Sequence, residues 1–199
     1  MLLKDKTAVI TGSNRGIGFK MLETFSKNGS NIVACSRNLN KDFLDQTEKL
    51  KKKFNNNIYP IKLDLENEES VKEAFIKINS LNLEIDILVN NAGTIHTALF
   101  QMTSVRKLKE IFQVNFFSQT IFTQYILKSM MKRKSGSIIY IASSSALDSN
   151  VGRSAYSASK AALISQSKTL SKELGSLNIR VNTIAPGLTN TDMMKENTS

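Results

Sequence analysis

Apolar, largely β-branched runs recur along the chain at Thr7–Thr11, Asn31–Ser36, Ile58–Leu63, Ile85–Asn90, Ser137–Ser143 and Arg180–Ala185. Each predicts a strand. The run Ile138-Ile139-Tyr140-Ile141-Ala142 is nearly continuous rather than alternating, the pattern of a strand covered on both faces. Between the runs lie longer stretches with apolar residues three and four apart, such as Val71, Phe75 and Ile78, or Leu108, Ile111, Phe112 and Phe116. These predict amphipathic helices. Helix-length connections between buried strands imply parallel crossovers, and right-handed crossovers favour a doubly wound sheet. The expectation is one α/β domain over residues 1–199, with six strands and no internal repeat or linker.

Composition narrows the class. With 199 residues, 41% of them hydrophobic, the chain is long enough for a sizeable core, and 9 Gly and 2 Pro are too few for a linker or a collagen. The lone Cys35 excludes an intrachain disulfide. No apolar run approaches the roughly 18 residues of a membrane span. Lys4, Asp5 and Lys6 stand where a signal peptide keeps its apolar stretch, so a soluble cytoplasmic protein is expected. The net charge of +10 admits an anionic partner: nucleic acid, a phosphorylated cofactor or an acidic protein. Lysines are nevertheless dispersed, and the block Lys49, Lys51, Lys52 and Lys53 lacks the interleaved aromatics on which bases stack. Neither nucleic acid nor membrane is expected as a partner.

Chemistry enters at the strand ends. The first strand runs into Thr11-Gly12-Ser13-Asn14-Arg15-Gly16-Ile17-Gly18, and an amphipathic helix follows. Glycines at a strand-to-helix turn allow a pyrophosphate to approach the helix N-terminus, which points to a Rossmann-like dinucleotide site. The spacing is G-x-x-x-G-x-G rather than G-x-G-x-x-G. An NAD site typically places an acid at the end of the second strand, but Cys35-Ser36-Arg37-Asn38 has none. Arg15 and Arg37 offer guanidinium groups suited to a 2′-phosphate, so NADP(H) is expected over NAD(H). Asn90-Asn91-Ala92-Gly93 ends the fourth strand, where small residues let a cofactor pass close to the backbone. Asp64 either accepts a hydrogen bond from adenine or caps a turn.

Tyr156 and Lys160 are four apart and share a helix face. An ammonium beside a phenol stabilises phenolate and makes Tyr156 a candidate acid toward a carbonyl oxygen. Thirteen residues earlier, Ser143 ends the fifth strand and offers a hydroxyl to the same oxygen. His96 is the only histidine, so no zinc site is expected, and no G-x-S-x-G elbow supports hydrolysis.

Together TGSNRGIG at 11–18, LDL at 63–65, NNAG at 90–93, Asn115, Ser143, YSASK at 156–160 and APG at 185–187 resemble the short-chain dehydrogenase/reductase family. The arginine in the glycine loop and Pro186-Gly187-Leu188-Thr189-Asn190-Thr191-Asp192-Met193 resemble most the 3-oxoacyl-acyl-carrier-protein reductases. The resemblance implies a catalytic set of Asn115, Ser143, Tyr156 and Lys160. Tyr156 would protonate the carbonyl oxygen, Ser143 would hold it, Lys160 would support Tyr156 and bind the nicotinamide ribose, and Asn115 would hold a relay water. It also implies cofactor contacts along 11–18, at Ser36, Arg37, Asp64, Leu65, Asn91, Ala92 and Gly93, and at Pro186, Gly187, Thr189 and Thr191. Against the family pattern, the sequence ends before the last helix and strand, leaving the sixth strand as a sheet edge. A small-molecule carbonyl substrate is implied, with a 3-oxoacyl thioester on an acyl carrier protein foremost. Arg133 and Lys134 are the candidate docking cations, while Leu177 stands where a base would have helped. A homodimer or homotetramer through two long helices, near residues 104–132 and 155–175, is implied as well. Three alternatives stay open: a sugar or small-ketone reductase, a family member of low activity that binds NADP or a partner, and a basic nucleic-acid binder.

Overall fold

Residues 1–190 are described by the computed structural model. Strands β1 (Thr7–Thr11), β2 (Asn31–Ser36), β3 (Ile58–Lys62), β4 (Ile87–Asn90), β5 (Gly136–Ile141) and β6 (Ile179–Ile184) form one sheet in the order β3-β2-β1-β4-β5-β6. Every pairing is parallel. The chain starts in the middle, winds outward through β2 and β3, then returns past β1 to β4. The carboxyl ends of β1 and β4 therefore flank the switch point at which open α/β sheets bind ligands.

The α-helices among the described residues are α1 (Gly16–Lys27), α2 (Lys41–Phe54), α3 (Glu68–Ser80), α4 (Val105–Phe112), α5 (Ser118–Arg133), α6 (Ser145–Asp148) and α7 (Ser154–Leu174). The continuous apolar strands are explained by burial on both faces. In β1, Val9 packs into a cluster with Leu88, Phe122, Ile138 and Leu163, while Ala8 and Ile10 pack into a second with Leu22, Phe43 and Leu50. Each fully buried aliphatic side chain contributes about 1.5–3 kcal/mol, so the sheet faces hold both helical layers.

The strands match the sequence expectation to within two residues, with consequences at two points. Strand β5 ends at Ile141, so Ser143 lies beyond it, in the turn that leads to α6. The long helix expected near 104–132 is interrupted between α4 and α5 by a π-helical turn, Gln113–Phe117. Such single-turn bulges gather at functional sites. Thr191 lies outside the described residues.

Helix starts differ in a telling way. Asn40 caps α2, Asn67 caps α3 and Ser104 caps α4, each accepting main-chain N–H bonds on its side chain. Helix α1 has no side-chain cap and no acid in its first turn, which leaves N–H donors and the positive end of its dipole at the glycine loop.

Candidate active site

The glycine loop and the NNAG loop are joined across the switch point. Thr11 Oγ1 accepts from Asn91 N and Ala92 N, both at 3.0 Å. Asn91 Nδ2 donates to the carbonyls of Thr11 (2.9 Å) and Gly12 (3.1 Å). Ser13 donates through both its backbone N–H and its Oγ to the Cys35 carbonyl, each at 3.0 Å. Thr11, Ser13 and Asn91 thus build the loop's shape with their side chains. Glycine is required here: Gly12 sits at φ +64°, and a Cβ on Gly18 would lie 2.0 Å from the Gly12 carbonyl oxygen. An uncapped helix start on a glycine loop, with Asn14, Arg15 and Gly16 exposed around it, fits the pyrophosphate of a dinucleotide.

At the neighbouring strand ends, Ser36 is buried and donates to the Asn38 carbonyl (3.0 Å). The Arg37 guanidinium pairs with Glu66 Oε1 at 3.0 Å. Asp64 Oδ1 accepts from Glu66 N (3.0 Å), which makes this carboxylate a turn cap. Leu65 is buried, and its carbonyl accepts from Ser118 Oγ at 2.6 Å.

On the other side of the switch point, Tyr156 and Lys160 lie on the inner face of α7, 9% and 3% exposed. The Lys160 ammonium stands 6.0 Å from the Tyr156 ring centroid and donates to the Ile141 carbonyl at 2.8 Å. Burial pulls its pKa down to about 8. Asn115 is fully buried in the π-helical turn. Its Nδ2 donates to the Thr94 carbonyl (2.9 Å) and to Ser159 Oγ (3.0 Å), and its Oδ1 accepts from Thr94 N (2.8 Å). Ser159 Oγ donates in turn to the Tyr156 carbonyl at 2.7 Å. A Cβ on Gly93 would lie 3.2 Å from both Asn115 Oδ1 and Lys160 Nζ, so these two side chains converge on that glycine. Ser143 is half-buried, its Oγ accepting from Ser145 N at 3.2 Å. Pro186 stands against the same turn, its carbonyl accepting from Ser144 N at 2.9 Å, while Gly187 and Thr189 are exposed.

An open cavity of about 410 Å³ adjoins α7, bounded by Phe100, Ala146, Asn150, Ser154, Ser157 and Ala158. Exposed Leu99, Phe100, Met102, Leu147, Val151 and Leu188 come from the segments that follow β4, β5 and β6. Among the groups expected to act outside the site, Arg133 is committed to structure. It donates to the Ile85 carbonyl and lies 3.5 Å from Glu84 and 3.8 Å from Asp86. Thr94, Ser159 and Glu66 were not expected from sequence. Ser159 lies within YSASK, which was the available signal; the other two are defined by the fold.

A sequence profile for short chain dehydrogenases matches residues 6–199. The chain is 36% identical over 191 residues to 3-oxoacyl-[acyl-carrier-protein] reductase FabG of Aquifex aeolicus, covering 96% of this chain and 77% of that one. It is 32% identical over 200 residues to the FabG of Escherichia coli, covering 98% and 78%. A Beutenbergia cavernae structure described as an NAD(P)-dependent gluconate 5-dehydrogenase, with NADP bound at low occupancy, superposes with a TM-score of 0.90 at 26% identity, covering 98% of this chain and 76% of that one. A short chain dehydrogenase/reductase family protein gives 0.86 at 27% identity, covering 99% and 80%. With its strand order, its glycine loop and its Tyr156–Lys160 pair, the chain belongs to the short-chain dehydrogenase/reductase family of NAD(P)-dependent oxidoreductases.

Proposed function

We propose that this protein is an NADPH-dependent carbonyl reductase, with 3-oxoacyl thioesters of an acyl carrier protein as its preferred substrates. The observation that carries the chemistry is the buried Tyr156–Lys160 pair beside the switch point. A bound nicotinamide supplies the hydride. Tyr156 donates its hydroxyl proton to the carbonyl oxygen as carbon is reduced. Ser143 Oγ donates a hydrogen bond to the same oxygen. Lys160 places its ammonium beside the Tyr156 ring and holds the ribose hydroxyls. Asn115 fixes the loop at Thr94, and a water beside its turn returns a proton toward Lys160. The missing acid after β2, together with Arg37 and Arg15, supports NADP(H) over NAD(H).

The thioester reading draws on the FabG relatives and on the exposed apolar rim formed by Leu99, Phe100, Met102 and Leu147. The net charge of +10 suits an acidic carrier. Arg133 is held by Glu84 and Asp86, so Lys134 and the lysine-rich surface would do the steering. A homodimer through the long helices is supported by the face of Phe116, Ala162, Gln166 and Leu170, which borders an open groove, and by exposed Phe117. A second reading, a polyol or sugar dehydrogenase, is favoured by the polar wall of Ser149, Asn150, Ser154 and Ser157. NADPH oxidation with acetoacetyl thioesters, simple ketones and keto-sugars separates the two. Turnover of the keto-sugars alone would overturn the thioester assignment.

A further inference from the structure

The register places Ser36 of β2 opposite Lys62 of β3, so the residues just beyond the two strand ends are neighbours. Arg37 and Glu66 meet there with a nitrogen–oxygen distance of 3.0 Å, both side chains 61% exposed. Glu66 does not ride on a loose tail. Its N–H is fixed to Asp64 Oδ1 (3.0 Å), and Asp64 N donates to Ser70 Oγ (3.0 Å), which pins the turn to the start of α3. The carboxylate is therefore presented to the guanidinium by a built turn. Resting on the reading that Arg37 receives the 2′-phosphate of NADP(H), we propose that Glu66 is a specificity-determining residue that competes with that phosphate for Arg37 and narrows the preference over NAD(H).

The competition is one-sided. A phosphate carries more charge than a carboxylate and accepts two guanidinium N–H bonds, so it displaces Glu66 rather than being excluded. A displaced carboxylate remains within a few ångströms of the dianion and repels it, with only partial screening at this separation. A ribose 2′-hydroxyl carries no charge and meets no such opposition. Glu66 thus lowers affinity for the phosphorylated dinucleotide and leaves the other untouched. Because the pair is exposed, the effect is small, about two- to five-fold.

Calorimetric titration of NADP⁺, NAD⁺ and 2′,5′-ADP into wild type, Glu66→Gln, Arg37→Ala and the double variant tests this without reference to turnover. Glu66→Gln is expected to tighten NADP⁺ and 2′,5′-ADP by about two- to five-fold, to leave NAD⁺ unchanged and to have a smaller effect in the Arg37→Ala background, where only direct repulsion of the phosphate remains. Unchanged or weaker 2′,5′-ADP binding by Glu66→Gln, with Arg37→Ala still losing its NADP⁺ preference, overturns the role of Glu66 alone. An Arg37→Ala variant that keeps the wild-type preference overturns the assignment of Arg37, and the competition with it.

Discussion

The two halves of the site are organised by different physics. On the β1–β2 side, shape is set by backbone: left-handed glycines at 12 and 16, a helix start without a cap, and short polar side chains turned toward neighbouring carbonyls. On the β4–β5 side, shape is set by buried polar side chains that bond to one another and to the chain, with Asn115, Ser159 and Lys160 all essentially inaccessible. The first kind of site tolerates no added atoms, and the second tolerates no lost partners. Substitutions in the two halves should therefore fail in different ways.

The largest effect belongs to the reacting group. Tyr156→Phe removes one oxygen and keeps the backbone carbonyl that accepts from Ser159 Oγ, so fold and cofactor affinity should be retained. Loss of the proton donor should lower kcat by about 10²- to 10⁴-fold. Stopped-flow reduction together with NADPH fluorescence titration reads both quantities. A variant that keeps wild-type turnover removes Tyr156 from the chemistry.

Gly18→Ala tests the backbone half. The new Cβ would meet the Gly12 carbonyl oxygen at 2.0 Å and Asn91 Nδ2 at 2.5 Å, and main-chain atoms cannot rotate away. Either the loop or α1 must shift, at a cost of about 1–3 kcal/mol. Dinucleotide affinity should fall by at least roughly ten-fold, since the donors at the helix start move with it. Wild-type affinity and an unchanged melting temperature would mean that the loop is more compliant than its contacts imply.

Asn115→Ala tests the other half by subtraction. It leaves the N–H and C=O of Thr94 without their partner and takes one hydrogen bond from Ser159. Each buried group left unsatisfied costs about 1–3 kcal/mol. Denaturant unfolding should show a loss of about 2–4 kcal/mol, with kcat reduced and dinucleotide affinity nearly intact. Equal losses in kcat and affinity would erase the distinction between the halves.

What the sequence revealed follows the same division. The strands were legible because burial on both faces leaves long apolar runs, and β1 and β2 were bounded to the residue. The glycine loop was legible because a motif is a local property. Side-chain direction was not. The hydroxyls of Thr11 and Ser13 hold the loops together, a role that a spacing rule, which gives position and not orientation, does not reveal. The π-helical turn left no trace, because buried positions 111, 114, 115, 118, 119 and 122 keep the spacing of an ordinary helix. Glu66 went unnoticed because its partner is 29 residues away and is reached only through the β2–β3 register.

The smallest effect is the most particular to the buried half. Burial holds Lys160 at about 8, against 10.5 for an ordinary lysine. Below pH 8 the native state carries a desolvated ammonium and is less stable for it. Between pH 8 and 10.5 the native chain gives up that proton while the unfolded chain keeps it, so this group's contribution to stability rises with pH. Cys35 and Tyr140 act in the opposite sense, since burial pushes each up to about 12 and the unfolded chain loses those protons first, from about pH 9 for a thiol. The window in which Lys160 stands out is therefore pH 8 to 9. Lys160→Met relieves a penalty of about 3 kcal/mol, but leaves the Ile141 carbonyl without its donor, which returns about 1–3 kcal/mol. The net expectation is an inactive protein about 1 kcal/mol more stable at pH 7, melting roughly 2–4 °C higher. Its advantage over wild type should shrink from pH 8 to 9. An advantage that stays constant across that window would show that Lys160 is not titrating there.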